Sequence, residues 1–89
     1  MIAKHIIFIG NVQGVGFRFT AHRIANHHQL AGFVRNVPDG NVEMLAQGKS
    51  EDIDNCILDI KDSFAGYIRQ TKIEDTAPDP RYSDFKITF

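Results

Sequence analysis

The stretch that decides the fold is "GNVQGVGFRF", residues 10–19, which joins an apolar run to a helical pattern. The run before it, "HIIFIG", is rich in isoleucine and predicts a buried strand over residues 4–10. After it, residues 18–29 carry apolar side chains near helical spacing and predict a helix with one apolar face. Three glycines and Arg18 therefore lie at a junction between a strand and a helix.

The glycines and the arginine of this junction favour an anion site. A glycine-rich turn that enters a helix exposes backbone N–H groups, which attract an anion together with the helix dipole. Gly14 and Gly16 allow a ligand close to the backbone, and Arg18 offers a planar, permanently charged fork for phosphate oxygens. The alternative is a tight turn whose glycines only relieve steric strain. The glycine spacing matches neither common nucleotide-binding loop, so spacing alone leaves both interpretations open.

The middle of the chain predicts a hairpin followed by a helix. "GFVRNV" and "NVEMLAQ", residues 32–37 and 41–47, flank the turn sequence "PDG" and indicate two paired strands. Next, "SEDIDNCILDIKDSF" predicts a helix with Ser50 as its N-cap and acidic residues in its first turn. Its apolar stripe is the clearest in the chain: Ile53, Cys56, Ile57, Ile60 and Phe64.

Two strands complete the pattern. "YIRQTKIED", residues 67–75, breaks strict alternation at Ile68 and Ile73, which indicates a β-bulge. "DFKITF", residues 84–89, alternates and predicts a last strand. The order β-α-β-β-α-β plus a terminal strand predicts an α+β, ferredoxin-like split βαβ sandwich, with an antiparallel sheet and both helices on one face. We expect one domain over residues 1–89.

Composition restricts the class of protein. The 89 residues carry 10 Lys and Arg against 11 Asp and Glu, a net charge of −1, which argues against a nucleic-acid or membrane-surface binder. No apolar run approaches the ~18 residues of a membrane span, and "MIAKHIIFIG" resembles a first strand more than a signal peptide. One cysteine, Cys56, permits no internal disulfide. We therefore expect a cytoplasmic protein, with nothing that demands more than a monomer.

Two motifs resemble those of the acylphosphatase family. "GNVQGVGFR", residues 10–18, is similar to the first family motif, close to G-x-V-Q-G-V-G-F-R. "GFVRNVPDGNVEMLAQG", residues 32–48, resembles the second motif, G-[WF]-V-x-N-x-x-D-G-x-V-E. The resemblance is very specific over residues 10–48, and beyond them it rests on topology and the closing F-x-I-x-F pattern.

This resemblance implies roles for the matching positions. Arg18 would be the catalytic, phosphate-binding arginine, and Asn36 would orient the attacking water. The backbone N–H groups of the loop would cradle the phosphate, and that loop comprises Val12, Gln13, Gly14, Val15, Gly16, Phe17 and Arg18. The implied reaction is hydrolysis of a small acyl phosphate to a carboxylate and inorganic phosphate, with no metal or other cofactor. A carboxylate leaving group needs no proton donor at neutral pH, and neither motif offers a residue for covalent attack.

Two other classes compete with an acylphosphatase. One is a binding module without turnover for phosphate or carbamoyl phosphate, similar to the acylphosphatase-like domain of hydrogenase-maturation carbamoyltransferases. No cysteine-rich zinc segment follows the last strand here, which disfavours it. The other is an RNA-binding module of the same strand order, but "NVEMLAQG" offers no aromatic residue for base stacking.

Three further features receive structural interpretations. His22 and His27 do not share a helix face, so we do not expect a metal site there. Cys56 lies on the apolar stripe and is expected to be a small buried hydrophobic residue. Gln29 stands where the family commonly has glycine after the first helix. If that position needs a positive φ, glutamine costs roughly 1 kcal/mol there.

Overall fold

A computed structural model describes all residues, 1–89, and confirms the predicted order of elements. The strands are β1 (Ile2–Gly10), β2 (Ala31–Asn36), β3 (Val42–Gly48), β4 (Ile68–Thr76) and β5 (Phe85–Thr88). The helices are α1 (Phe17–His27) and α2 (Ser50–Ser63). The five strands form one sheet in the order β4-β1-β3-β2-β5.

The sheet is antiparallel at three of its four pairings. The fourth, between β2 and β5, is parallel, so the sheet is mixed rather than wholly antiparallel. The reason is the long connection over residues 77–84, which leaves the end of β4 at one edge and enters β5 at the other. It reaches β5 at the end of the sheet where β2 also begins, so both strands run the same way.

Both helices pack on one face, over a core of aliphatic and phenylalanine side chains. Ile53, Cys56, Ile57 and Ile60 of α2 are all buried, as its apolar stripe predicts. Phe17, at the start of α1, packs between Phe8 and Phe64 with ring centroids 5.1 and 4.5 Å away. The strand-to-helix loop is thus anchored in the core at its helical end.

Ser50 is not the N-cap of α2, contrary to the prediction. The helix already includes Ser50, and Lys49 occupies the cap position with extended backbone and no side-chain hydrogen bond. The Lys49 carbonyl accepts the first helical bond, from the N–H of Ile53 at 3.0 Å. Glu51 and Asp52 do lie in the first turn, where the helix dipole favours them.

The irregularity predicted for the fourth strand is present. Ile9 pairs with Gln70 and Gly10 with Ile68, so Arg69 is an extra residue opposite the end of β1. This bulge lets Ile68 pack against the core, whereas Ile73 stays 45% exposed on the edge strand.

Candidate functional site

The predicted site residues meet at one end of the sheet. Asn36, the last residue of β2, pairs with Val42 at the start of β3, and Val42 pairs with Phe8 near the end of β1. On the other side of β2, Arg35 pairs with Thr88 at the end of β5. The loop over residues 11–16 leaves β1 at this same end. This end is called the loop end of the sheet.

The glycines of the loop differ in what they do. A Cβ on Gly10 would lie 2.1 Å from the carbonyl oxygen of Tyr67, so Gly10 is required by close packing of two backbones. Gly14 and Gly16 have φ of 79° and 77°, and a Cβ on either would meet no heavy atom within 4 Å. Their requirement is the left-handed backbone, not crowding by the protein. The steric interpretation therefore holds for Gly10, and Gly14 and Gly16 shape an open loop.

The backbone N–H groups of residues 12–18 have no hydrogen-bond acceptor within the protein. The first loop bond comes from the N–H of Asn11 to the carbonyl of Tyr67, and the next runs from Thr20 to Gly16 at the start of α1. Residues 13–16 are all exposed. A run of exposed donors that leads into a helix N-terminus, with Gly16 as its cap, provides donors and a dipole that attract an anion.

The side chain of Gln13 holds the loop against the β2–β3 turn. Its Nε2 donates to the carbonyl oxygens of Val37 and Asn41, each at 2.8 Å. The two segments that carry the sequence motifs are therefore connected directly. Gln13 was predicted only as a backbone contributor, and its side-chain contact had no signal in the sequence.

Arg18 is partly buried in the first turn of α1 and reaches the end of β5. Its Nη1 donates to the carbonyl oxygen of Thr88 at 3.4 Å, which is long for such a bond. The guanidinium also lies over the ring of Phe89, 4.9 Å from the centroid, within range of a cation–π contact. No carboxylate pairs with it. The charge of Arg18 is thus oriented by the protein and not neutralised.

Asn36 is partly buried, and its side chain makes no hydrogen bond to the protein. It directly follows Arg35, the register partner of Thr88, whose carbonyl holds Arg18. Arg18, which reaches the end of β5 from α1, and Asn36, at the end of the neighbouring strand β2, are therefore both at the loop end. Their chemical roles remain predictions.

The opposite face of the sheet carries a separate charged cluster that the sequence did not reveal. Glu43 accepts hydrogen bonds from His5, at 2.7 Å, and from Nε of Arg35. Burial alone would raise the pKa of Glu43, but the His5 and Arg35 contacts outweigh it and lower that pKa below its usual 4.5. Because Arg35 is paired with Glu43 on that face, Arg18 is the arginine whose charge is available at the loop end.

His22, its helix neighbour His28 and Cys56 have structural surroundings that account for them. His22 contacts the Phe85 carbonyl at 3.1 Å, and His28 contacts Asp59 at 2.8 Å. Cys56 is buried as predicted, and desolvation raises the pKa of its thiol to about 12. It is therefore a thiol, not a thiolate nucleophile, near neutral pH. Neither helix, at 11 and 14 residues, is long and apolar enough to cross a membrane.

Comparisons with known proteins agree with this geometry. The family model described as Acylphosphatase matches residues 4–87. A curated acylphosphatase of Staphylococcus haemolyticus is 39% identical over 88 residues, covering 97% of this chain and 98% of the relative. One of Bacillus licheniformis is 37% identical over 90 residues and covers both chains fully.

Solved structures give the same result. The crystal structure of acylphosphatase from Bacillus subtilis superposes with a TM-score of 0.91 at 30% identity, over 100% of both chains. The crystal structure of T. kodakarensis HypF matches with a TM-score of 0.87 at 33% identity, but this chain spans only 12% of that one. With matching motifs, matching fold and full-length relatives, the chain belongs to the acylphosphatase family.

Proposed function

We propose that this enzyme hydrolyses the carboxyl–phosphate bond of acyl phosphates without a metal ion, and that its site is the loop end of the sheet. The observation that carries the proposal is the run of N–H donors without an acceptor at residues 12–18, exposed over residues 13–16, beside the unpaired charge of Arg18. Together these groups suit a dianionic phosphoryl group. Asn36, at the end of β2 with an amide that has no protein partner, is a polar group in place to act on water.

The loop and Arg18 would bind and stabilise the transferred phosphoryl group. Charge in the transition state spreads over its three equatorial oxygens, so catalysis depends on positioning and charge stabilisation. The N–H groups of residues 12–18 would donate to these oxygens, and the planar fork of Arg18 would bind two of them. The 3.4 Å bond from Arg18 to Thr88 is weak and easily exchanged for a phosphate oxygen.

Asn36 would orient the attacking water. The side-chain oxygen of an amide accepts a hydrogen bond from water without any change of charge. The water oxygen forms a bond to phosphorus as the bond from phosphorus to the acyl oxygen breaks, and the electron pair leaves on the carboxylate. The water proton passes to a phosphate oxygen. Carboxylic acids have pKa values near 4, so the leaving carboxylate needs no general acid.

We further propose that residues 1–89 act as one domain, as a monomer, in the cytoplasm. All the proposed site residues come from one chain, and the single cysteine is buried and unpaired. Size-exclusion chromatography with light scattering tests the monomer.

The test is hydrolysis of benzoyl phosphate in the presence of a chelator, by the natural sequence and Arg18→Ala. We expect turnover by the former and a loss of roughly 10³-fold or more in kcat/KM for Arg18→Ala, the size seen for arginines that stabilise phosphoryl transfer. Arg18→Lys keeps the charge but not the fork and should recover only part of the activity.

Arg69→Ala is the matched control, because Arg69 is exposed on the bulge of β4 and makes no side-chain contact to the site. Normal saturation and turnover by Arg18→Ala would contradict the role of Arg18. Loss of activity in chelator that a divalent metal restores would contradict the metal-free reaction. Phosphate binding without turnover would instead favour the binding module.

A further inference from the structure

A shallow cavity of about 270 Å³ lies beside the guanidinium of Arg18, on the side of β5. It is lined by Arg18, Phe19, Ile87 and Phe89. Its volume lies just below the roughly 300–1,000 Å³ of pockets that enclose drug-sized ligands, so it suits one small organic group.

The walls of this cavity expose more aromatic surface than packing requires. Phe19 is 76% exposed and Phe89 is 95% exposed, although both are large apolar side chains. Exposed apolar side chains that cluster around a polar group commonly mark a binding site. The chain has other exposed apolar residues, but the groove that holds Leu58 and Ile73 is also lined by Asp54 and Lys61.

Charge distinguishes the cavity beside Arg18 from the other two. Arg18 is the only charged side chain among the four residues that line it. The larger cavity between α1 and α2 is lined by Arg23, His27, Asp59 and Asp62. The cavity beside Arg18 thus offers three apolar side chains next to a phosphate-binding cation.

We propose that this cavity binds the acyl group of the substrate and makes the enzyme selective for aromatic and other apolar acyl phosphates. The inference rests on the proposed function. In an acyl phosphate, a single oxygen joins the phosphorus to the acyl carbon, so the acyl group must lie within a few ångströms of the groups that bind the phosphoryl oxygens. Of the three cavities, this is the one that Arg18 itself lines.

The geometry also sets how an aromatic acyl group would bind. Phe89 already packs its ring over the Arg18 guanidinium at 4.9 Å, and Phe19 lines the same cavity. A benzoyl ring in this cavity would gain aromatic contacts and cover the exposed apolar surface of these side chains. An acetyl group would cover less of that surface. An acyl group with a second negative charge would find no cation there beyond Arg18.

The test compares kcat/KM for benzoyl phosphate with kcat/KM for acetyl phosphate, in the natural sequence, Phe19→Ala and Phe89→Ala. Truncating a wall should lower the benzoyl-to-acetyl ratio by about tenfold, the lower range for apolar discrimination in a pocket. Leu58→Ala is the matched control, because Leu58 is 56% exposed on α2 and lines a different cavity. Its ratio should equal that of the natural sequence.

A second measurement does not depend on turnover. Phenacylphosphonate, in which a methylene replaces the bridging oxygen of benzoyl phosphate, should shift the ring resonances of Phe19 and Phe89 in an NMR titration. Inorganic phosphate should shift Arg18 and the loop without moving the Phe19 ring.

The outcomes separate the two proposals. A lower ratio in the Phe variants and shifts of both rings support the acyl subsite. Equal ratios in an enzyme that hydrolyses both substrates overturn the subsite and leave the proposed function standing. Hydrolysis of neither substrate overturns the proposed function and the subsite with it.

Discussion

The two ends of the sheet are each held by one glutamine, and the two glutamines differ in burial. At the loop end, exposed Gln13 donates to the carbonyls of Val37 and Asn41, both at 2.8 Å. At the opposite end, Gln47 is 2% exposed and binds the connection over residues 77–84. Its Nε2 donates to the carbonyls of Asp79 and Tyr82 at 2.8 and 3.0 Å, and its Oε1 accepts from the N–H of Asp79 at 2.8 Å.

The two segments differ in whether their backbone N–H and carbonyl groups have hydrogen-bond partners within the protein. Gln47 uses both ends of its amide, so the connection it holds has its donor and acceptors satisfied inside the protein. Gln13 fixes the position of its loop by donating to the carbonyls of Val37 and Asn41 on the β2–β3 turn. The backbone N–H groups of residues 12–18 are left without an acceptor in the protein. Backbone groups satisfied internally stabilise the fold, whereas exposed ones remain free for a ligand. We therefore expect changes at the two ends to separate activity from stability.

The largest effect in this comparison is expected for Asn36→Ala. It should lower kcat for benzoyl phosphate by about 10²-fold, the effect of removing one preorganised polar group, while inorganic phosphate still binds. The free energy of unfolding should change little, since the Asn36 side chain has no partner to lose. Asn55→Ala, at an exposed position of α2, is the matched control. A kcat equal to that of the natural sequence would remove Asn36 from the mechanism.

Gln47→Ala should show the opposite behaviour. It removes three hydrogen bonds and leaves the Asp79 N–H and the Tyr82 carbonyl without a partner, while the Asp79 carbonyl keeps the N–H of Tyr82. Unfolding should therefore become roughly 2–4 kcal/mol easier. Urea denaturation measures this, and kcat per folded molecule should stay close to normal. Gln47→Met keeps most of the volume and should be nearly as destabilised. Recovery of full stability in Gln47→Met would assign the effect to the cavity, not to the hydrogen bonds.

Gln13→Ala should affect activity more than stability. Without its contacts to Val37 and Asn41, the loop is no longer held to the β2–β3 turn, and we expect a decrease of about tenfold in kcat/KM. Because the side chain is exposed, unfolding should change by only about 0.5–1 kcal/mol. Gln70→Ala, on the exposed edge strand, controls for loss of a surface glutamine. Equal kcat/KM in the two variants would show that loop position does not limit catalysis.

Local patterns predicted the elements, and contacts between distant residues account for what was missed. Three features were predicted from the pattern of a single segment, and all three are present: the apolar stripe of α2, the turn at Pro38–Gly40 and the irregularity of β4. The prediction of Ser50 as N-cap was wrong: Ser50 is the first residue of the helix and Lys49 is the cap. A serine at either position gives the same local sequence pattern. The contact of Arg18 with Thr88 spans 70 positions, and nothing near Arg18 encodes it. The resemblance supplied the roles of Arg18 and Asn36, and the structure brings both to one end of the sheet.

The smallest expected effect lies at the Gln47 end and is a gain in stability. Gln29 ends α1 with a φ of 58°, the one positive φ outside glycine. The N–H of Leu30 donates to the Ala25 carbonyl at 3.0 Å, the helix-ending bond that favours glycine at position 29.

Gln29→Gly removes the strained Cβ but gives the unfolded chain more conformational freedom. We expect a net gain of roughly 0.5–1 kcal/mol in the free energy of unfolding and a Tm higher by about 2–6 °C. Gln29→Ala keeps the Cβ and is the control, with a Tm near that of the natural sequence. If both variants raise the Tm equally, the cost lies in the glutamine side chain rather than the backbone. Activity should not change in either, because the proposed phosphoryl site lies at the other end of the sheet.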